Sequence, residues 1–558
     1  MIRAVPPLTL LLLLGPVAAG LWGVIRPAFG VLPAAGFAAP SLDPFRALAD
    51  WPGLGAAVRL SVGVGLLATA LSLALVTLIC AGWWGTRAFR LLQRLLSPLL
   101  SVPHAAAAFG LAFLIAPSGW IARALSPWAT GWDRPPDALI VNDPWGLALT
   151  AGLVIKEVPF LLLMVLAALP QVRAGERLRL TQVLGYGRMT GWLKAVFPAV
   201  YAQIRLPVYV VLAYSMSVVD VAVILGPSTP PPLSVQIVRW IGEPALETRL
   251  VAAAGAVLQL ALVIGALVAW RLGEVVVARL GCAWAERGGR GRHENPLRRV
   301  SLVLGAGSAG AVLAGLAVLT VWSVAGFWGF PAAWPQGVGP ANWARHGPGA
   351  GSAFGQTALV AGIATALALV LVLGCLQAEA RTGRRPGASA MWLLYLPLLV
   401  PQTAFLPGLQ TFLLGLGADR GVASVILAHL VFVLPYVFLS LADPWRAWDS
   451  RQATIAATLG AGPGAVFWRI RLPMLLAPVL TAAAVGLAVS VGQYLPTLLI
   501  GGGRVATLTT EAVALASGGD RRAIGVYALA QSAAALLPFA LALALPALVW
   551  RNRRGLHG

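Results

Sequence analysis

Three features of the 558-residue chain predict an all-α polytopic membrane protein, with about twelve transmembrane helices set out as two parallel six-helix repeats. Hydrophobic residues make up 59% and charged residues 11% of the sequence, whereas a soluble chain carries roughly a quarter charged residues. Such a chain lacks the polar surface that water requires. The apolar residues form runs of roughly 20 or more, long enough to cross a ~30 Å hydrocarbon layer as helices. The alternating strands of about ten residues that build an outer-membrane barrel are missing. Finally, one polar, Arg-containing motif occurs twice, at equivalent places between apolar runs.

The spans follow in order. Met1-Ile-Arg3 precedes an apolar run to about Ile25. Val17-Ala-Ala19 is a weak signal-peptidase site, but the run is long and completes a symmetric repeat, so an uncleaved first helix at roughly 7–25 is expected. The next spans are expected at roughly 59–84 and 95–117, around a short loop bearing Arg87, Arg90 and Arg94. A fourth at roughly 145–170 holds Lys156, Glu157 and Pro159; the fifth and sixth fall at roughly 203–226 and 250–271. The second half gives roughly 299–325, 355–379, 390–416, 421–442, 474–498 and 524–550. Basic residues concentrate on one set of loops, including Arg381, Arg384 and Arg385, and on Arg551, Arg553 and Arg554 at the C-terminus. That asymmetry places both termini in the cytoplasm.

The repeat is visible beyond the count of spans. Each fourth span has a proline, Pro159 or Pro435. Each fifth span ends in Ser-Val-x-polar, as Ser217-Val-Val-Asp220 and Ser490-Val-Gly-Gln493. A Gly-marked outside turn follows, Leu225-Gly226 or Ile500-Gly501, and the sixth spans carry Gln259 and Gln531 at similar places. Residues 1–275 thus form a first repeat, with a cytoplasmic loop at 171–203, and residues 299–558 a second, with its loop at 443–473. An even number of spans per unit makes the repeats parallel, related by a pseudo-two-fold axis along the membrane normal. Between them, 276–298 reads as a flexible, basic, cytoplasmic linker, with Ala285-Glu-Arg-Gly-Gly-Arg-Gly-Arg-His-Glu-Asn-Pro296 at its centre.

The duplicated motif has a physical logic. Arg179-Leu-Thr-Gln-Val-Leu-Gly185 continues through Ala195-Val-Phe-Pro198; Thr454-Ile-Ala-Ala-Thr-Leu-Gly460 continues through Ile470-Arg-Leu-Pro473. A short helix can end at each glycine in the left-handed conformation. A second short segment follows, and the proline suits the first turn of the next helix. The result is a helix–turn–helix hairpin projecting from the membrane. It is expected to expose Leu184, Tyr186, Met189 and Trp192 in one copy, and Leu459, Val466, Phe467 and Trp468 in the other. An ordinary interfacial loop would need no second copy, so a docking element is the better reading.

These residues carry a family resemblance. The second copy resembles the cytoplasmic EAA loop of ABC importer permeases, whose pattern is Glu-Ala-Ala, three residues, Gly, nine residues, Ile, one residue, Leu-Pro. Gly460, Ile470, Leu472 and Pro473 fit it, and Ala456 stands for the second alanine. Thr454 replaces the glutamate and Ile455 the first alanine. In the first copy Gly185 and Pro198 match, Phe197 replaces Leu, and Arg179-Leu-Thr replaces Glu-Ala-Ala. Over nearly its full length the chain is similar to fused two-repeat permeases of the ferric-iron and thiamine importers. Pro103-His-Ala-Ala-Ala-Ala-Phe-Gly, Ala116-Pro-Ser-Gly-Trp and Leu225-Gly-Pro-Ser-Thr-Pro-Pro-Pro-Leu resemble a branch assigned to thiamine.

The resemblance implies a type I ABC importer permease in the bacterial inner membrane. It implies an ATPase dimer docked at the cytoplasmic hairpins, with ATP bound by that partner and no cofactor in this chain. It further implies a periplasmic substrate-binding protein on the outside, and thiamine, a related cation or ferric iron as cargo.

Charges inside spans are costly, about 2.5 kcal/mol or more each, so they face protein or water. Asp220 and its counterpart Gln493 are candidates for the translocation path, as are Lys156 and Glu157; the competing reading is structural bracing, with Lys156 paired to Asp220 or Glu157. The net charge of +21 would point to nucleic acid in a soluble protein. Here the arginines serve as topology signals, and the bilayer is the expected partner. Cys80, Cys282 and Cys375 lack CxxC or Cys/His spacing, so neither a disulfide framework nor a metal site is expected. No GxxxxGK[ST] is present, which argues against nucleotide hydrolysis within the chain, and no catalytic constellation argues for an enzyme. A gradient-driven secondary transporter with two six-helix halves is the alternative. Such a carrier has no need of two matching docking hairpins.

Overall fold

The structure, a computed structural model, describes residues 2–291, 293–383, 387–418 and 421–549. Arg292, Arg384, Arg385, Arg551, Arg553 and Arg554 of the charge pattern lie outside the described residues.

The described chain is helical, with isolated bridges at Leu32–Phe37 and Ala325–Val338. The first half runs α1 (Val5–Ala28), α2 (Leu54–Trp83), α3 (Arg87–Leu99), α4 (His104–Ile115), α5 (Leu147–Gln171), α6 (Ala174–Val183), α7 (Arg188–Gly191), α8 (Phe197–Ser217), α9 (Asp220–Leu225), α10 (Leu233–Gly242) and α11 (Leu246–Glu286). The second half repeats this order as α12 (Asn295–Val324), α13 (Ala341–Thr382), α14 (Ala388–Leu399), α15 (Gln402–Gly415), α16 (Val422–Ala447), α17 (Arg451–Thr458), α18 (Pro463–Ala465), α19 (Leu476–Val491), α20 (Leu495–Gly501), α21 (Leu508–Ala514) and α22 (Arg521–Val549). Short helices at Asp43–Ala49, Trp120–Leu125 and Leu472–Met474 lie outside that correspondence.

Among the described residues, 10 helices are long and apolar enough to cross a membrane, or up to 12 if each sharply bent pair is one crossing. The differences from hydropathy are local. The expected span at 95–117 is two helices, α3 and α4, parted before Pro103; that at 390–416 is α14 and α15, bent by 88° before Pro401. Proline removes a donor and drives the preceding residue out of the helical region, and Val400 is accordingly extended. The expected span at 203–226 breaks at Val218, and that at 474–498 at Gly492. Two helices outrun their hydropathy. α13 starts at Ala341, well ahead of the span expected at 355–379, and α11 continues through the first part of the expected linker, to Glu286. Of the described residues between α11 and α12, 287–291, 293 and 294 lie outside helix.

The halves interlock through their first helices. α1 packs on α15, and its equivalent α12 packs on α4. Each crossing is made by glycines. A Cβ on Gly408 would lie 1.9 Å from the carbonyl oxygen of Gly20, and one on Gly110 would lie 2.8 Å from the backbone of Gly315. With no side chain between them the backbones meet directly, the small-residue packing that holds helices together where lipid supplies no hydrophobic force.

Candidate functional site

Two places combine chemistry with symmetry. They are the duplicated hairpin and the breaks in the fifth span of each half.

In both hairpins the first helix ends as the sequence predicts. Gly185 and Gly460 adopt positive φ, 77° and 86°. The next amide bonds back across the helix end, from Tyr186 N to Thr181 O at 3.0 Å and from Ala461 N to Ala456 O at 2.9 Å. These are matching Schellman-type ends. A π-helical stretch follows in each, Trp192–Val196 and Val466–Arg471. Pro198 then occupies the first turn of α8, while Pro473 sits in a short turn that meets α19 at 74°. Ile470 and Leu472 are half-buried, and Ala456 is buried against the hairpin.

Exposure corrects the expected surface. Leu184 and Leu459 project fully, at 62% and 82% accessible, and so does Trp468 at 67%. Tyr186, Val466 and Phe467 are half-buried, while Met189 and Trp192 are buried. In the first copy the aromatic face turns inward, onto Phe197, with Trp192 and Phe197 ring centroids 6.0 Å apart. A groove of about 390 Å³ lies beside that hairpin, between Trp84, Arg173, Glu176 and Arg179.

The two hairpins are braced by different residues, neither of which the motif flags. In the second, the Arg471 guanidinium stacks over the Trp445 and Trp448 rings at 4.1 and 4.9 Å and donates to the Trp445 carbonyl at 2.9 Å. In the first, Glu294 of the linker accepts from the amides of Met189 and Thr190 at 2.8 and 2.7 Å.

The fifth-span breaks are built in matched pairs. Val218 and Gly492 interrupt the helix, which frees carbonyls inside the protein. Ser234 Oγ donates to Val218 O at 2.9 Å and Gln259 Nε2 to Met216 O at 3.0 Å. In the second half Thr509 Oγ1 donates to Val491 O, and Gln531 Nε2 donates to Thr509 at 2.6 Å. Gln259 and Gln531, matched in the sequence, thus serve equivalent breaks.

Asp220 begins α9 at the first break and is 7% accessible. Gln493 lies at the second, half-buried, its carbonyl accepting from Thr497 Oγ1 at 2.9 Å. Glu157, also buried, has His104 Nε2 3.7 Å away. The His104 ring lies 5.0 Å from that of Tyr214. Tyr214 is within range of the charges on Asp220 and Glu157, and Tyr494 within that of Asp220. Tyr436 is likewise within range of Glu157. Asp220 and Glu157 of the first half therefore lie near tyrosines of both halves. Sequence reasoning passed over His104 and the tyrosines; the only signal was that polar rings sit in otherwise apolar spans.

Lys156 points elsewhere. Its ammonium donates to the carbonyls of Leu99, Leu100 and Val102 at 2.9, 3.3 and 2.5 Å. It caps the end of α3 where the chain breaks, a favourable place for a cation. Neither ion pair of the competing reading, with Asp220 or with Glu157, forms within 4.0 Å among the described residues. Adjacent residues point about 100° apart on a helix, which separates Lys156 from Glu157. Among the described residues no three His, Cys, Asp or Glu side chains gather to hold a metal ion.

Comparison with known proteins places this architecture. The chain is 30% identical to the inner membrane ABC transporter permease protein YnjC of Escherichia coli (strain K12) over 532 residues, 92% of this chain and 94% of that protein. Residues 348–551 match the family described as binding-protein-dependent transport system inner membrane component. The chain belongs to this family of ABC transporter permeases. Like its relatives, the permease is a multi-pass inner-membrane protein. Shorter matches cover part of the chain. The molybdenum transport system permease protein ModB of Mycobacterium tuberculosis (strain ATCC 25618 / H37Rv) is 35% identical over 166 residues, 27% of this chain and 63% of that protein. The putrescine transport system permease protein PotI of Escherichia coli (strain K12) is 28% identical over 166 residues, 28% of this chain and 58% of that protein. No solved structure matches the permease.

Proposed function

We propose that this permease joins both membrane halves of an importer in one chain, and that a separate ATPase pair docks at its two hairpins. The observation that carries this reading is the repeated hairpin, with its matched glycine ends and with Leu184 and Leu459 projecting from each. The docking set is Leu184, Gly185, Tyr186 and Pro198 in one copy and Ala456, Leu459, Gly460, Ile470, Leu472 and Pro473 in the other, the residues of the EAA-like loop. On the twelve-crossing reading, an even number of crossings separates the hairpins. They therefore share one side, which the basic loops make cytoplasmic. A periplasmic binding protein delivers the cargo to the opposite face.

ATP holds the ATPase pair closed and draws the hairpins together. The halves then rock about the pseudo-two-fold axis and exchange inward for outward access. The shift comes from the tighter binding of ATP to the closed state. Lys156 belongs to the frame, and Asp220, Glu157 and Gln493 to the path. Buried carboxylates with tyrosines nearby suit a small organic cation, held by charge and by aromatic rings; thiamine is in that class. Relatives named for molybdenum and for putrescine carry unlike cargo, so family membership leaves the choice to such residues. It gives no support to the gradient-driven alternative.

Reconstitution tests the reading. The chain is co-expressed with a candidate ATPase and binding protein from the same organism, and thiamine uptake into proteoliposomes is followed. A stable complex and ATP-dependent uptake are expected. Failure of the ATPase to bind, with gradient-driven uptake by this chain alone, overturns the proposal. Complex formation without thiamine uptake overturns the cargo assignment only.

A further inference from the structure

The connection between the halves reads as a solvated tether, yet it is docked. Glu294 occupies the N-cap position of α12 but does not cap its own helix. Its two carboxylate oxygens instead accept from the amides of Met189 and Thr190 in the first hairpin. Charge-assisted bonds of this kind are about twice as strong as neutral ones. Gly187 N donates to Arg290 O at 2.6 Å, and Lys194 Nζ donates to Gly289 O at 2.9 Å. Lys194 also lies over the Tyr186 and Trp284 rings, at 5.1 and 4.6 Å. Two glycines make room for this contact. A Cβ at Gly187 would stand 2.2 Å from Gly291 O, and one at Gly291 would stand 2.0 Å from Thr190 Oγ1. One turn into α12, Arg298 covers the Trp83 ring at 4.2 Å, and its carbonyl accepts from Trp83 Nε1 at 2.8 Å. Arg188 of the hairpin bonds the neighbouring carbonyl of Trp84. Hairpin, linker and the start of α12 therefore form one packed unit. The second hairpin is held differently, by Arg471, and among the described residues no carboxylate reaches the backbone of Pro463–Ala465.

We propose that Glu294 is a positioning residue for energy coupling, which fixes the first hairpin to α12 so that the two move together throughout the cycle. The inference rests on the hairpins being the ATPase contacts. Given that, a push on the first hairpin reaches the second half's leading helix directly. The second hairpin passes its push through α19 instead. The halves of this permease are then coupled to the ATPase pair by unlike linkages, although their folds match.

The test uses the full chain with its ATPase in lipid nanodiscs, nucleotide-free and trapped with ATP and vanadate. Amide exchange at Met189 and Thr190 is measured in both states, together with the maximal stimulation of ATP hydrolysis by the permease. Protection of both amides in both states is expected. Glu294→Gln removes the charge. Gly187→Val, at a position whose φ is −57°, displaces the linker without straining the hairpin. Each is expected to speed exchange there at least about tenfold and to lower maximal stimulation about fivefold, with an unchanged thermal midpoint and the ATPase still bound through the second hairpin. Fast exchange at these amides in the wild-type chain, or loss of their protection in the trapped state, overturns the single moving unit. Variants that stimulate hydrolysis like the wild type overturn the positioning role. If neither variant folds, exchange in the wild-type protein alone decides. An ATPase that never binds the wild-type chain sinks the functional reading itself, an outcome visible before any variant is made.

Discussion

At the scale of single residues, neighbours in sequence divide the labour. Lys156 and Glu157 are both buried in α5, but Lys156 closes three carbonyls at the break after α3, and Glu157 faces His104. Removing the ammonium leaves those acceptors unpaired in an apolar setting. Lys156→Met is expected to cost about 2–4 kcal/mol, read as a lower thermal midpoint in detergent. Among the described residues no side-chain donor bonds Asp220, which has only backbone amides of α9. Asp220→Asn is expected to leave the midpoint within a degree or two, roughly 0.5 kcal/mol or less, while uptake falls on the order of tenfold. Normal uptake in that variant would remove Asp220 from the path. The sequence marked all of these charges as costly in lipid. It did not show which was bracing, because a side chain's partners come from breaks in other helices.

At the scale of elements, the hairpin shows how far local sequence reaches. Its two glycines were legible because a helix end with positive φ has few chemical solutions. A Cβ on Gly460 meets nothing within 4 Å, so a substitution there acts through the backbone alone. Gly460→Val is expected to strain the turn by about 1–2 kcal/mol, leave membrane insertion intact, and weaken ATPase binding roughly tenfold in a pull-down titration. Leu459→Asp is expected to do the same by placing a charge on the projecting tip; unaltered binding in both variants would move the docking surface elsewhere. The burial of Met189 and Trp192 was not legible. A hairpin taken alone has two faces, and only the body beneath it decides which is covered. The broken spans were hidden for a related reason, since hydropathy averages over a window and passes smoothly across Val218 or Gly492.

At the scale of the whole molecule, the halves are exchanged at their edges. α1 lies against α15 and α12 against α4, in each case backbone to backbone at glycine. Gly408→Leu would drive a side chain into the Gly20 carbonyl, and is expected to destabilise the packed form by at least about 3 kcal/mol. Loss of a monodisperse peak in size-exclusion chromatography reads this out. Gly362→Val, at a position with open space, serves as the tolerated control. A monodisperse, wild-type-like Gly408→Leu protein would contradict the interlocked arrangement.

The sequence by itself determined the class, the rough places of the apolar spans, the doubled order of motifs and the two hairpin ends. Each of these follows from local chemistry: apolar length against the thickness of a bilayer, proline and glycine against backbone geometry, and recurrence along the chain. Only the tertiary structure decided that Lys156 is a cap, that carboxylates of one half lie near tyrosines of the other, and that Glu294 ties the linker to the first hairpin. Those contacts join residues tens to hundreds of positions apart. Their energies depend on which polar groups are left unpaired once the helices have packed, and nothing in the neighbouring sequence records that.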